Sequence, residues 1–393
     1  MESLAGPRQP PGWFQPSITG VLDRARVVLA ARGPRQLEEA TAELLGAELY
    51  RVIRDEDRGL WFDWWFEQLV DAALARIRAE GSRNDAWQAP WWLLHGLASI
   101  GSPALSAAAQ TALGRATKEL RRDAYQSQPE WLRLLPRISA TGEMWQLRDV
   151  YGARLAVIAG FSYPGGTDRS VFLFDIDACG LVRLVHAGVF DNVDEAAAAW
   201  RSLVGDAADR SSPAPIETGE QLACLVHYEA GEELVEGTEP RDVTDNWFRA
   251  SRRTHDLAQA LRKRGMALPE SRSLYHDIDT EPMVEAFVAW HRTTHGTEPD
   301  PEAVDAVAAE WLEGALPGTQ HAASPHRAQY QLTLISDWQP EHPVTVAVKT
   351  LLPTWVRWNG EQAGLPVHFL ERAVAAAAGN PGPISERCGV DPE

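Results

Sequence analysis

SVFLFDIDACG, residues 170–180, decides how the middle of this chain folds. An apolar run rich in β-formers ends in two aspartates, Asp175 and Asp177, followed by a turn sequence that closes on Gly180. If a helix came next, the aspartates would stand at the mouth of a parallel sheet, where α/β enzymes gather their chemistry. The next ten residues, LVRLVHAGVF (181–190), instead read as another strand, with β-branched and aromatic residues and no helical period. The expected unit is an antiparallel hairpin. A three-residue loop with Gly180 in the left-handed region puts Asp177 opposite Leu181 and Asp175 opposite Arg183. On this register Asp177 caps the turn and Asp175 gains a cross-strand ion partner.

FLFDIDACG is similar to the DxD strand-end motif of the haloacid dehalogenase phosphotransferases. That family carries Thr or Val two residues after the second Asp, where Cys179 stands here, and needs a helix after the strand and a later lysine. No lysine occurs between residues 181 and 262, so the hairpin accounts for the aspartates better than a reaction centre does. VIAGFSYPGG (157–166) invites comparison with the GxSxG nucleophile elbow through Gly160 and Ser162, but Pro164 replaces the last glycine and a strand follows.

Outward from the hairpin, Asp149-Val-Tyr-Gly152 and Tyr163-Pro-Gly-Gly166 supply two more turns, giving a meander of four strands near 143–149, 153–162, 169–177 and 181–190. DNVDEAAAAWRSLVG then predicts a helix capped by Asp191 and ended by Gly205, with a further strand at Leu222–Tyr228. Both flanks are helical by period. SITGVLDRARVVLAAR, QLEEATAELLGAELYRVI and GLWFDWWFEQLVDAALARIRAEG space apolar residues three and four apart, and Ser102-Pro103 marks a cap and first turn. After residue 241, Gly265 and Gly296 end helices, while Asp300-Pro301 and Ser324-Pro325 begin them. The expected class is α+β: a lead-in over 1–16, a helical domain over 17–138, the meander with a helix over 139–240, a helical region over 241–379 and a loose tail over 380–393.

A length of 393 residues calls for two or three cores. Residues 1–140 hold 17 basic and 17 acidic groups, whereas 141–393 hold 20 against 38, which accounts for the net charge of −18. A surface of that sign repels phosphate backbones, so nucleic acid is a disfavoured partner. No apolar run approaches the ~20 residues of a membrane span. The first residues lack the basic start and apolar core of a secretory signal. Cys179, Cys224 and Cys388 are odd in number and widely spaced, which suits reduced thiols in a cytoplasmic protein.

Eight of the 16 tryptophans fall before residue 132, among them Trp61, Trp64, Trp65, Trp87, Trp91 and Trp92. They build either a core of large side chains or an aromatic surface that docks a partner. The metal signal is EAFVAWHRTTHG (285–296), where His291 and His295 stand one helical turn apart. Glu285, or Asp277 or Asp279 from HDIDTE, would complete a divalent-cation site of a metal-dependent hydrolase. Arg249, Arg252 and Arg253 form a basic patch on the helix 246–265, which would pair with the acidic run 229–240 or grip a phosphate. With no phosphate loop or dinucleotide fingerprint, no organic cofactor is expected, and the leading expectation is an interaction module for another protein or a second copy of itself.

Overall fold

The structure is a computed structural model and describes residues 9–54, 61–81, 85–120, 126–164, 169–180, 182–225, 237, 239–269, 279–313 and 315–380. The protein is α+β, with an antiparallel five-stranded sheet in the middle of the chain and helices on both sides of it in sequence. Its chain forms two compact units: Met1–Ala140 with Phe161–Arg169 and Val235–Leu257, and Thr141–Gly160 with Ser170–Leu234 and Ala258–Glu393. The tail from 381 and the acidic run over 229–236 lie outside the described residues.

The first unit contains α1 (Phe14–Arg24), α2 (Pro34–Val52), α3 (Phe62–Glu80), α4 (Gln88–Ile100) and α5 (Pro103–Glu119), together with most of α7 (Arg241–Lys263). α1 begins at Phe14, whose ring is buried, so helix already forms within the expected lead-in over 1–16. The tryptophans settle the aromatic question for most positions. Trp65, Trp87, Trp91 and Trp92 are buried, Trp64 is half-buried, and Trp61 alone of the six is half exposed. Trp65 stacks on Phe248 at 6.4 Å and Trp87 meets Trp91 edge-on at 6.0 Å. Pairs of this kind add about 0.5–1.5 kcal/mol each beyond plain burial. α4 is largely apolar and buried on every side from Ala89 onward, His95 and Ser99 included. Gly96 is what admits it: a Cβ there would lie 2.0 Å from the Thr41 hydroxyl of α2. Ser102 stands at the N-cap of α5 as expected but makes no side-chain capping bond.

The second unit holds the body of the sheet, in the order β4-β3-β2-β1-β5. Its strands are β1 (Ser139–Arg148), β2 (Arg154–Ser162), β3 (Arg169–Asp177), β4 (Arg183–Phe190) and the two-residue β5 (Ala214–Pro215). The meander is therefore real, and β5, pairing with β1 at Trp145 and Gln146, is an addition too short to carry a pattern. Residues 219–225 are helical, so the strand expected from Leu222 does not form, and 226–228 lie outside the described residues. α6 (Val193–Val204) starts one residue later than expected, with Asn192 rather than Asp191 accepting from the Glu195 amide, and stops at Gly205 with φ 78°.

α8 (Glu281–His295), α9 (Pro301–Leu312), α10 (Pro325–Ser336), α11 (Pro343–Gln362) and α12 (Val367–Ala377) complete the unit. Asp300 and Ser324 cap α9 and α10 through their side chains, as their Pro-flanked positions imply. Trp200, Trp311, Trp355 and Trp358 lie in one core with Phe287 and Leu173. Among the described residues no helix is long and apolar enough to cross a membrane.

The register of the β3–β4 hairpin differs from the expected one. Asp175 lies opposite His186 and Asp177 opposite Arg183, with an irregularity between Asp175 and Ile176. The connection runs over residues 178–182 instead of three residues, which shifts the partners along β4. Gly180 is not in the left-handed region. It is a glycine because Tyr330 of α10 presses on it, and a Cβ would sit 2.3 Å from that ring.

Candidate functional site: the charged end of the sheet

β1 ends, β2 begins, β3 ends and β4 begins at the same end of the sheet, so ionisable residues at those four positions collect there. Asp175 is completely buried. The Arg154 guanidinium donates to it through Nε at 3.0 Å and Nη2 at 2.7 Å, and the Trp200 indole donates at 2.9 Å. Its ion partner is thus Arg154 on the neighbouring β2, where the hairpin register alone had pointed to Arg183. A bidentate fork with an indole N–H satisfies most of the acceptor capacity of the carboxylate. Asp149, in the β1–β2 turn, accepts from the backbone N–H groups of Ala153 and Arg154 at 2.9 and 3.1 Å. Burial pushes its pKa up to about 7, with those N–H groups and Arg154 opposing.

Asp177 does what the turn sequence implies and more. Its Oδ1 accepts from the Cys179 amide at 2.8 Å, while Oδ2 lies 2.9 Å from His326 Nδ1 and 3.6 Å from the Arg183 guanidinium. Burial would raise this carboxyl, but His326 and Arg183 outweigh it and hold the group well below the usual carboxylate range. The Cys179 sulfur is 3.1 Å from the Ser324 hydroxyl, which also accepts from the Arg327 amide as the cap of α10. Burial, reinforced by Asp177, keeps Cys179 a thiol. Arg327 donates to the carbonyl oxygens of Thr319, Ala322 and Trp311 and lies 4.2 Å over the Trp311 ring. Burial lowers its pKa to about 10, so it stays charged at neutral pH.

Ligand atoms of Asp177, Cys179 and His326 all lie within 4.8 Å of one another, and this is the one such group of three among the described residues. His326 Nε2 is buried with no hydrogen-bond partner. The sequence had marked Asp177 as a turn cap and Ser324 as a helix cap. It gave no sign that they meet, because 147 residues separate Cys179 from His326.

The other sequence candidates fall elsewhere. His291 and His295 are neighbours at the end of α8, with ring centroids 4.6 Å apart. Asp279 binds the Glu281 amide at the opposite end of that helix, about 18 Å away along the axis at 1.5 Å per residue. Glu285 is exposed on an earlier turn, and Asp277 lies outside the described residues. In the first unit, Arg249 and Arg253 are buried. Arg253 pairs with the buried Glu38 at 2.5 Å, Arg249 donates to Asn246 at 2.8 Å, and Arg252 donates to Asp256 at 2.9 and 3.0 Å. These contacts make the three arginines part of the packing of α7, not an exposed grip. Ser162 closes β2, and β3 is the next element, so no nucleophile elbow forms there.

Comparison of the chain with protein-family models, with curated proteins and with solved structures finds no match.

Proposed function

We propose that the charged end of the sheet binds one transition-metal ion of the zinc class through Asp177, Cys179 and His326. The ion braces the β3–β4 hairpin against the first turn of α10. One observation carries this reading: a carboxylate, a thiol and an imidazole converge within 4.8 Å, and the imidazole keeps a buried, unpartnered Nε2. Mixed S, N and O donors suit zinc or a similar borderline cation better than magnesium or calcium. Closure favours a structural ion over a nucleophile, since Cys179 is 4% exposed and its thiol is held protonated. A coordinating thiol loses that proton, so metal uptake releases a proton and tightens as pH rises. Cys179 and Cys224 are both buried free thiols, which fits a reducing, cytoplasmic setting.

Elemental analysis of the purified, untagged chain is expected to find about one equivalent of zinc. In cobalt-exchanged protein a sulfur-to-metal absorption band should appear and vanish in Cys179→Ser. An ion present at 100 times its dissociation constant stabilises the fold by about 2.7 kcal/mol, so chelation should lower the unfolding midpoint. Metal-free protein that zinc does not stabilise, and cobalt protein without the sulfur band, would end this reading.

A second reading, docking of a basic partner protein or self-association, rests on Trp61. Its indole is half exposed, and its backbone sits in the left-handed region at φ 40°, ψ 44°, at the head of α3. A non-glycine residue there gives up roughly 1–2 kcal/mol, a strain that a docking role would explain. Sedimentation is expected to show association, with itself or with a polybasic peptide, that Trp61→Gly weakens. A monomer that ignores the peptide at low salt removes the idea.

A further inference from the structure

We infer that the exposed end of α8 carries a second and separate cation site, in which His291 and His295 bind Cu2+, Ni2+ or Zn2+ through two imidazole nitrogens. The pair is set up for it by its surroundings. His291 Nδ1 lies 2.9 Å from the Thr297 carbonyl oxygen. A carbonyl can only accept, so Nδ1 carries the proton and Nε2 of the neutral ring presents a lone pair. Metal-bound histidines are oriented in this same way, by a hydrogen bond from the other nitrogen.

The two rings are 4.6 Å apart between centroids. Aromatic walls hold them there: Phe287 lies 5.8 Å from the His291 ring, and Trp290 meets the His295 ring edge-on at 5.6 Å. Trp290 is fixed in turn by donating to Glu361 at 3.1 Å. The electrostatics favour a cation. The helix ends at Gly296 in the left-handed region, so the negative end of its dipole lies in this last turn. Arg292, the nearby charge that would oppose a metal, is paired with Glu298 at 2.5 Å.

Asp279 is at the far end of α8, and no third side-chain ligand joins the pair among the described residues, so water completes the coordination. A two-imidazole site open to water is exchangeable. It selects borderline ions over Mg2+ and Ca2+, which prefer oxygen ligands. Among the described residues it has two protein ligands, one fewer than the three that hold a catalytic zinc beside its open position. The site does not depend on the buried Asp177 centre.

Titration calorimetry on the untagged chain with CuCl2, NiCl2 or ZnCl2, in a Cys179→Ser background, isolates this site from the buried one. One equivalent of each ion should bind, while MgCl2 gives no heat. His291→Asn or His295→Asn should weaken binding at least tenfold, with helix content by circular dichroism unchanged. Electron paramagnetic resonance of the copper form should show coupling to two nitrogens. Absence of binding, or binding that persists in the double variant, overturns the inference. Loss of the cobalt sulfur band in Cys179→Ser with nickel still bound at the histidines would separate the two sites.

Discussion

Asp175→Ala is expected to lower the unfolding free energy of the second unit by about 3–5 kcal/mol. Asp175 is 0% exposed and accepts three hydrogen bonds, two from Arg154 and one from Trp200. Alanine removes the acceptor for all three and leaves a mostly buried guanidinium without its counter-ion. Leaving such a charge unpaired costs more than the pair itself contributes. Arg154 is 21% exposed along its side chain, so water reaches its outer edge and the loss should fall toward the lower end of the range. Asp175→Asn keeps one acceptor for the Trp200 indole and a similar shape but loses the charge, so it should lie between wild type and alanine. The paired change Arg154→Met with Asp175→Leu should recover much of the loss, because no orphan charge remains. Urea unfolding of the four proteins measures this. A loss below about 1 kcal/mol in Asp175→Ala would show that Arg154 finds solvent freely and that the buried pair is not a structural determinant.

That aspartate also shows where sequence reasoning stops. The hairpin, its antiparallel sense and the turn role of Asp177 were legible, because strand, turn and strand chemistry are local. The ion partner of Asp175 was not. Choosing between Arg183 and Arg154 needs the length of the 178–182 connection and the irregularity after Asp175, neither of which has a residue signature here. Gly180 was correctly marked as special for the wrong reason, since the contact with Tyr330 comes from 150 residues away. Helix boundaries with chemical punctuation, such as Gly205, Gly296, Asp300 and Ser324, emerged cleanly, whereas β5 at two residues left no pattern. Intramolecular pairing of the basic cluster on α7 could be weighed from its acidic neighbours, but not its partner, since Arg253 meets Glu38 of α2, which only tertiary packing supplies. Cys179 was named only as a reduced thiol and His326 not at all, because what brings them together is tertiary packing across 147 residues.

Opposite pH responses are expected in the two units, and they follow from two buried groups. In the first unit His95 lies on α4, with its ring 5.1 Å from Trp91, and neither ring nitrogen closes an ordinary hydrogen bond. Burial lowers its pKa from 6.5 to about 4, against a smaller opposing pull from the Leu132 backbone. The folded unit therefore binds fewer protons than the unfolded chain between those values. Its stability is whole above about pH 6.5 and falls as pH drops toward about 4, by roughly 3 kcal/mol at 1.36 kcal/mol per unit. Asp149 works the other way. Its folded pKa of about 7 exceeds the ordinary 3.8, so the folded second unit holds a proton the unfolded chain has lost. That contribution is whole below pH 3.8 and disappears as pH rises through about 7, a change of roughly 4 kcal/mol. Asp177, held low, withdraws its own contribution only below pH 3.8. Between pH 5 and pH 8, in metal-free protein, the first unit should therefore gain stability while the second loses it. Hydrogen exchange read by mass spectrometry separates them: α4 should be better protected at pH 8, and β2 at pH 5, after correction for intrinsic rates. His95→Leu should flatten the first response. Asp149→Asn keeps the acceptor for the Ala153 and Arg154 amides without a charge, so it should match wild type near pH 5 and exceed it at pH 8. A second unit that loses no protection between pH 5 and pH 8, or an Asp149→Asn protein no more stable than wild type at pH 8, would mean that Asp149 titrates as an ordinary solvated carboxyl.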